Sequence, residues 1–118
     1  MSFRLSSLTE FNIETGLYYA DNDEALYMEI LEMFSEQLHE EFAGLAASLS
    51  SPDDGQLGLV HTLKSCSGSV GASALQQSAM DIERTLKTKQ PVTDEQIRNL
   101  ERSMQAIQSQ LADAREVD

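Results

Sequence analysis

Residues 23–49, DEALYMEILEMFSEQLHEEFAGLAASL, decide the class of fold. Leu26, Ile30, Phe34, Leu38, Phe42, Leu45 and Leu49 recur at intervals of three or four, which places them on one face of a helix. Asp21 with Glu24 three residues on resembles a capping box, so the spacing predicts one long, strongly acidic helix from about Asp23. Before it, FNIETGLYYA (residues 11–20) reads as a shorter turn that lays Phe11, Ile13 and Leu17 over one end of the molecule. After it, LSSPDDGQLG (residues 49–58) breaks the pattern. Ser51 can cap, Pro52 suits a first helical position, and Asp53 and Asp54 suit the positive end of a helix dipole. A second helix is therefore expected from Pro52 or Asp53 to about Val70, with Gly71 as its C-cap.

Two more helices follow. Ser73 and Gln76 are spaced as a capping box ahead of the stripe Leu75, Ala79, Ile82, Leu86. Thr93 and Gln96 repeat the device, with Val92 and Ile97 placed for a hydrophobic staple, ahead of Ile97, Leu100, Met104, Ile107 and Leu111. Four amphipathic helices with short connections can bury their stripes only against one another. The expected fold is all-α: an antiparallel up-down four-helix bundle with a short extra N-terminal helix or turn. One domain is expected over residues 1–118, with an N-terminal segment at 1–20, the bundle at 21–112 and a frayed tail at 113–118.

Composition excludes several classes of function. No apolar run approaches the roughly 20 residues that span a bilayer, and the first ten residues lack a secretion signal, so a soluble cytoplasmic protein is expected. Cys66 is alone, which rules out an internal disulfide and a cysteine pair for zinc; mid-helix, it reads as a core filler. The formal net charge of −12 argues against nucleic acid as a partner. Residues 1–60 hold 12 acids and one base, residues 61–118 eight acids and seven bases, so the near-neutral half begins at His61.

That histidine opens HTLKSCSGSVGA (residues 61–72), where bulk thins out. Leu59, Leu63, Cys66 and Val70 form the predicted core stripe; His61 lies about 170° to 190° from its centre, Gly68 about 170°, and Lys64 and Ser65 about 130° to either side. His61 is thus expected to face water. An idle solvated face is usually written in Glu, Lys and Gln, and a helical glycine costs about 1 kcal/mol relative to alanine. Ser65 and Gly68 therefore suggest that another molecule approaches the backbone. Leu57, about 150° from the stripe and one turn before His61, is an exposed apolar anchor for it. No hydrolase base is near, and His39, on the acidic helix, reads as solvent-facing; two histidines with scattered carboxylates make a poor metal site, so no metal is assigned. An exposed imidazole suits phosphoryl transfer, which is mostly alignment and charge stabilisation, and Lys64 one turn on can reach a phosphoryl oxygen.

At these residues the chain resembles the histidine-containing phosphotransfer (HPt) domains of two-component phosphorelays. His61, Lys64, Gly68 and Gly71 match that family's pattern, Leu63 its usual apolar position, and ETGLYYADNDEALYMEILEMF and LQQSAMDIERTLK its flanking segments; Ser65 stands where the family usually has glycine. The resemblance implies a four-helix bundle in which His61 takes a phosphoryl group from a receiver-domain aspartate and passes it to another. It also makes Glu83 a candidate to orient the imidazole; Glu83 lies about 70° from its helix's stripe, a boundary position that suits either that bond or plain solvation. No nucleotide-binding loop is present, so autokinase activity is not expected. The implied partners are response-regulator receiver domains and a hybrid sensor histidine kinase, with magnesium on the receiver and no cofactor on this chain; a monomer is expected because the four stripes can satisfy one another. A non-catalytic receiver-binding module and the phosphoacceptor domain of a chemotaxis-type kinase stay open beside the relay.

Overall fold

The computed structural model describes residues 2–51 and 54–116. Among the described residues six α-helices follow in order: α1 (Ile13–Tyr19), α2 (Glu24–His39), α3 (Leu45–Ser48), α4 (Asp54–Val70), α5 (Ser73–Lys87) and α6 (Asp94–Ala114). The four long ones, α2, α4, α5 and α6, form a helical bundle around one apolar core, as expected. The connection between α4 and α5 is two residues and that between α5 and α6 is six, which turns each helix back along its predecessor. The start expected at Pro52 or Asp53 falls at residues outside the described set; the described helix begins at Asp54.

The acidic segment is not one helix. α2 stops at His39, and the chain turns through residues 40–44 before the short α3 resumes the stripe. Glu36, Glu40 and Glu41 crowd the negative end of the α2 dipole, which disfavours continuation, and Gly44 follows. Its buried face is Tyr27, Leu31, Phe34 and Leu38, one position round from the expected set, so Leu26 is exposed and Ile30 only half-buried. Phe42, Leu45 and Leu49 enter the core as expected. The N-cap of α2 is Asp23, whose carboxylate accepts from the Leu26 amide, rather than Asp21. Asp21 and Asn22 sit in the left-handed region at φ 57° and 58°, forming the tight turn between α1 and α2, so Asp21 is not placed to cap.

Of the two further boxes, Thr93 and Gln96 form one reciprocally, while Ser73 lies inside α5 and caps nothing with its side chain. Val92 and Ile97 both pack on the core. Gly71 ends α4 as expected, at φ 84°: its amide donates to the Gly68 carbonyl and that of Ala72 to the Ser67 carbonyl, a Schellman closure. The Asn12 amide donates to the Gly71 carbonyl at 2.7 Å, which seats the start of α1 on the α4–α5 turn; Phe11 is buried there, with Ile13 and Leu17 half-buried.

The expected frayed tail is ordered through Glu116. α6 continues to Ala114, and Arg115–Glu116 (β2) pairs antiparallel with Ser2–Phe3 (β1). Arg115 bonds Glu32 of α2 and lies over the Phe3 ring, 4.9 Å from its centroid. Among the described residues, no helix is long and apolar enough to cross a membrane.

Candidate functional site

α4 carries the central residue of the site. Its buried side chains are Val60, Leu63, Ser67 and Val70, and Ser67 is tolerated there because its hydroxyl donates to the Leu63 carbonyl. The expected stripe through Leu59 and Cys66 is corrected by this: both are half-buried flanks, so the helix is rolled by about 50° from the predicted phase. Burial still pushes the Cys66 thiol up, away from a reactive thiolate.

The roll matters for the site. His61 stays exposed, at 59% of its side-chain surface, about 140° from the core direction, and Ser65 points almost straight out. Lys64 moves to a boundary position, about 80° from that direction, where its side chain is 24% exposed and leans toward α5. There it meets Glu83. The Glu83 carboxylate, only 6% exposed, accepts from His61 Nδ1 through Oε2 at 2.5 Å and from Lys64 Nζ through Oε1 at 2.6 Å. Lys87 Nζ stands 3.9 Å from the same Oε1.

A carboxylate this buried would normally be raised in pKa. Here the bonds from Lys64 and then His61 outweigh desolvation and hold the Glu83 carboxyl below the usual carboxylate range. An ionised Glu83 can only accept, so Nδ1 carries the proton and the lone pair lies on Nε2. In the neutral ring Nε2 is the acceptor nitrogen.

The remaining expected site residues are placed less uniformly. Leu57 is half-buried one turn before His61 on α4, not fully exposed. Gly68 is half-buried and faces α5, where a Cβ would lie 2.4 Å from Nε2 of Gln76, the far end of a flexible side chain. Lys64, expected to stand free as a charge partner, is tied to Glu83. Sequence reasoning passed over Gly58, which is exposed three residues before His61 and would meet nothing within 4 Å if given a Cβ. The signal was its spacing: Gly58 and Ser65 flank His61 on the same outer face. His39 is exposed, its Nδ1 beside the Ser35 carbonyl at the end of α2. Among the described residues, no group of three His, Cys, Asp or Glu side chains is disposed to hold a metal ion.

A helical bundle that holds one imidazole out to solvent, oriented by a buried carboxylate, has the form of a carrier domain built around a histidine. The chain belongs to the Hpt domain family, whose model matches residues 29–113. In fold it is similar to the HPt domain of an Hpt sensor hybrid histidine kinase from Shewanella, at 25% identity and a TM-score of 0.79, over 90% of this chain and 93% of that one. No curated protein matches the sequence. The chain's role is accordingly histidine phosphotransfer within a phosphorelay, in two-component systems where such domains work with receiver domains and kinases.

Proposed function

We propose that His61 Nε2 is the phosphoacceptor, taking its phosphoryl group from the aspartate of one receiver domain and yielding it to the aspartate of another. The observation that supports this most directly is the Glu83 bond to Nδ1 of a side chain that is 59% exposed, which in the neutral ring puts the lone pair on Nε2. The Nε2 lone pair attacks the phosphorus of the partner's aspartyl phosphate, the bond from phosphorus to the carboxylate oxygen breaks, and the aspartate leaves as a carboxylate. The Nδ1 proton stays where it is. Glu83 then faces a phosphorylated ring that has gained positive charge, which favours the product by the same bond that oriented the reactant. Lys64, beside the imidazole, stabilises the phosphoryl oxygens when they arrive. Magnesium belongs to the partner's pocket in this scheme, where it offsets the charge of the transferring group. Gly58 and Ser65 keep the approach to Nε2 low, and Leu57 gives the partner an apolar foothold.

The test is transfer of labelled phosphate from phosphorylated receiver domains to the protein and to its His61→Gln variant. Acid-labile, alkali-stable label on the wild type alone, with both proteins equally helical, is the expected outcome. No label on either, from receivers that bind, would leave a sequestering module as the better account. Label accepted only from a histidine kinase domain would point to a chemotaxis-type phosphoacceptor. The folded bundle buries its four stripes in one core, and a monomer at all concentrations in sedimentation is expected.

A further inference from the structure

Glu83 has two lysines within reach and grips one of them. Lys64 Nζ, from α4, stands 2.6 Å from Oε1, whereas Lys87 Nζ, four residues along α5 from Glu83 and 60% exposed, stands 3.9 Å from the same oxygen. His61 Nδ1 takes the other oxygen. Of the groups that hold the Glu83 carboxyl below its usual range, the Lys64 bond comes first, the His61 bond next and the charge of Lys87 last. This order suits the unloaded ring better than the loaded one. A phosphoryl group on Nε2 lies across the ring from Nδ1, so an ammonium drawn against Oε1 is turned away from the phosphoryl oxygens. Lys64 must leave Glu83 to meet them. A buried carboxylate then loses a donor, which is costly unless another takes its place.

We infer that Lys87 is the reserve counter-ion of Glu83: it closes on Oε1 as Lys64 leaves for the phosphoryl group, and so frees Lys64 to serve the transfer. The inference rests on the phosphotransfer reading above and gives Lys87 a positioning role, exerted through Glu83 and Lys64 without contact with the phosphoryl group. Its ammonium has to close by only about 1 Å to make an ordinary charge-assisted bond. Glu83 and Lys87 both line an open groove of about 360 Å³, which leaves that side chain room to move. The timing of the bond is what matters. A contact made equally before and during transfer would not change the rate, whereas one gained only as Lys64 departs lowers the barrier.

Two measurements test this. The first needs no phosphate: the titration of the Glu83 carboxyl is followed by carbon NMR in wild type, Lys64→Met, Lys87→Met and the double variant, all with equal helical signal. Each single variant is expected to raise the Glu83 midpoint slightly, because the other lysine holds the carboxylate, and the double variant to raise it by clearly more than the two together. Simple additivity would overturn the inference. The second measurement is the rate of transfer from a phosphorylated receiver domain at saturating concentration, where affinity for the partner drops out. Lys87→Met is expected to slow that rate about three- to tenfold and Lys87→Arg to restore it, with the loss vanishing in the Lys64→Met background, where no lysine is left to be freed. Lys89→Met, which removes an exposed charge two residues on, should stay near wild type. An unchanged rate for Lys87→Met, an equal loss for Lys89→Met, or a loss that persists in the Lys64→Met background would each overturn the inference. Absence of transfer to the wild type would instead sink the phosphotransfer reading and leave the titration result standing, so the two failures are separable.

Discussion

At the scale of single residues, the site turns on a buried carboxylate that holds two cationic or potentially cationic groups at once. Glu83→Gln keeps the shape and one acceptor but removes the charge. Transfer is expected to slow by about 10- to 100-fold, the range seen when histidines bound to metals lose their outer partners. Stability should respond to pH with a definite sign. The Glu83 carboxyl is held below its ordinary value of 4.5 in the folded state, so its contribution is fully present above that value and is lost as pH falls through the lower folded one. In urea unfolding, the wild type should exceed Glu83→Gln by about 1–2 kcal/mol at pH 7, and the gap should narrow as pH falls below the carboxyl's ordinary value and through the lower folded one. A gap that stays constant would mean the ion pairs contribute nothing and that shape alone is at work. His61 and Lys64 were legible from the sequence because their spacing fixes their direction on a single helix. The bond between Lys64 and Glu83 was not, because it spans two helices, and its closure needs the roll of α4 that only packing determines.

At the scale of elements, two glycines on one helix should behave oppositely. Gly71 ends α4 at φ 84°, and a Cβ there would lie 2.2 Å from the Asn12 carbonyl oxygen, so Gly71→Ala is expected to cost more than about 1 kcal/mol. Gly58 is mid-helix with open space around it, so Gly58→Ala should stabilise by about 0.5–1 kcal/mol, while a bulky Gly58→Gln should slow transfer to any receiver. Thermal unfolding of both alanine variants, beside transfer rates for the glutamine one, decides the matter. A destabilised Gly58→Ala would show that this glycine serves the fold rather than the approach to His61. Helix identity was readable from periodicity throughout, and the Thr93–Gln96 box from its two residues alone. The breaks were less so. The stripe Leu38, Phe42, Leu45, Leu49 runs on in helical register across residues 40–44, although the backbone does not, because turn and helix can present the same spacing to a core.

For the whole molecule, the decisive difference from a plain four-helix bundle is that Ser2–Phe3 pairs with Arg115–Glu116. Phe3 is 2% exposed, Arg115 lies over its ring while bonding Glu32 of α2, and the Arg4 amide donates to the Ala114 carbonyl at 2.7 Å. No local pattern announces this. Ser2–Phe3 and Arg115–Glu116 are too short to show an alternation, and the pairing joins residues more than a hundred positions apart. A tail read by composition as frayed is thereby built into the core. If the clasp is part of the cooperative unit, Phe3→Ala should cost about 3–5 kcal/mol, as for a buried phenylalanine elsewhere in a core, and should lower the midpoint of a single transition followed by helical signal. If the paired strands merely rest on a bundle that is stable without them, the same variant should leave that midpoint nearly unchanged and only speed amide exchange at Arg4. The first outcome is expected, because Phe3, Leu8 and Phe11 are all buried in the same apolar cluster as Leu31 and Leu111, and a side chain that shares its neighbours with two long helices cannot be released without exposing them.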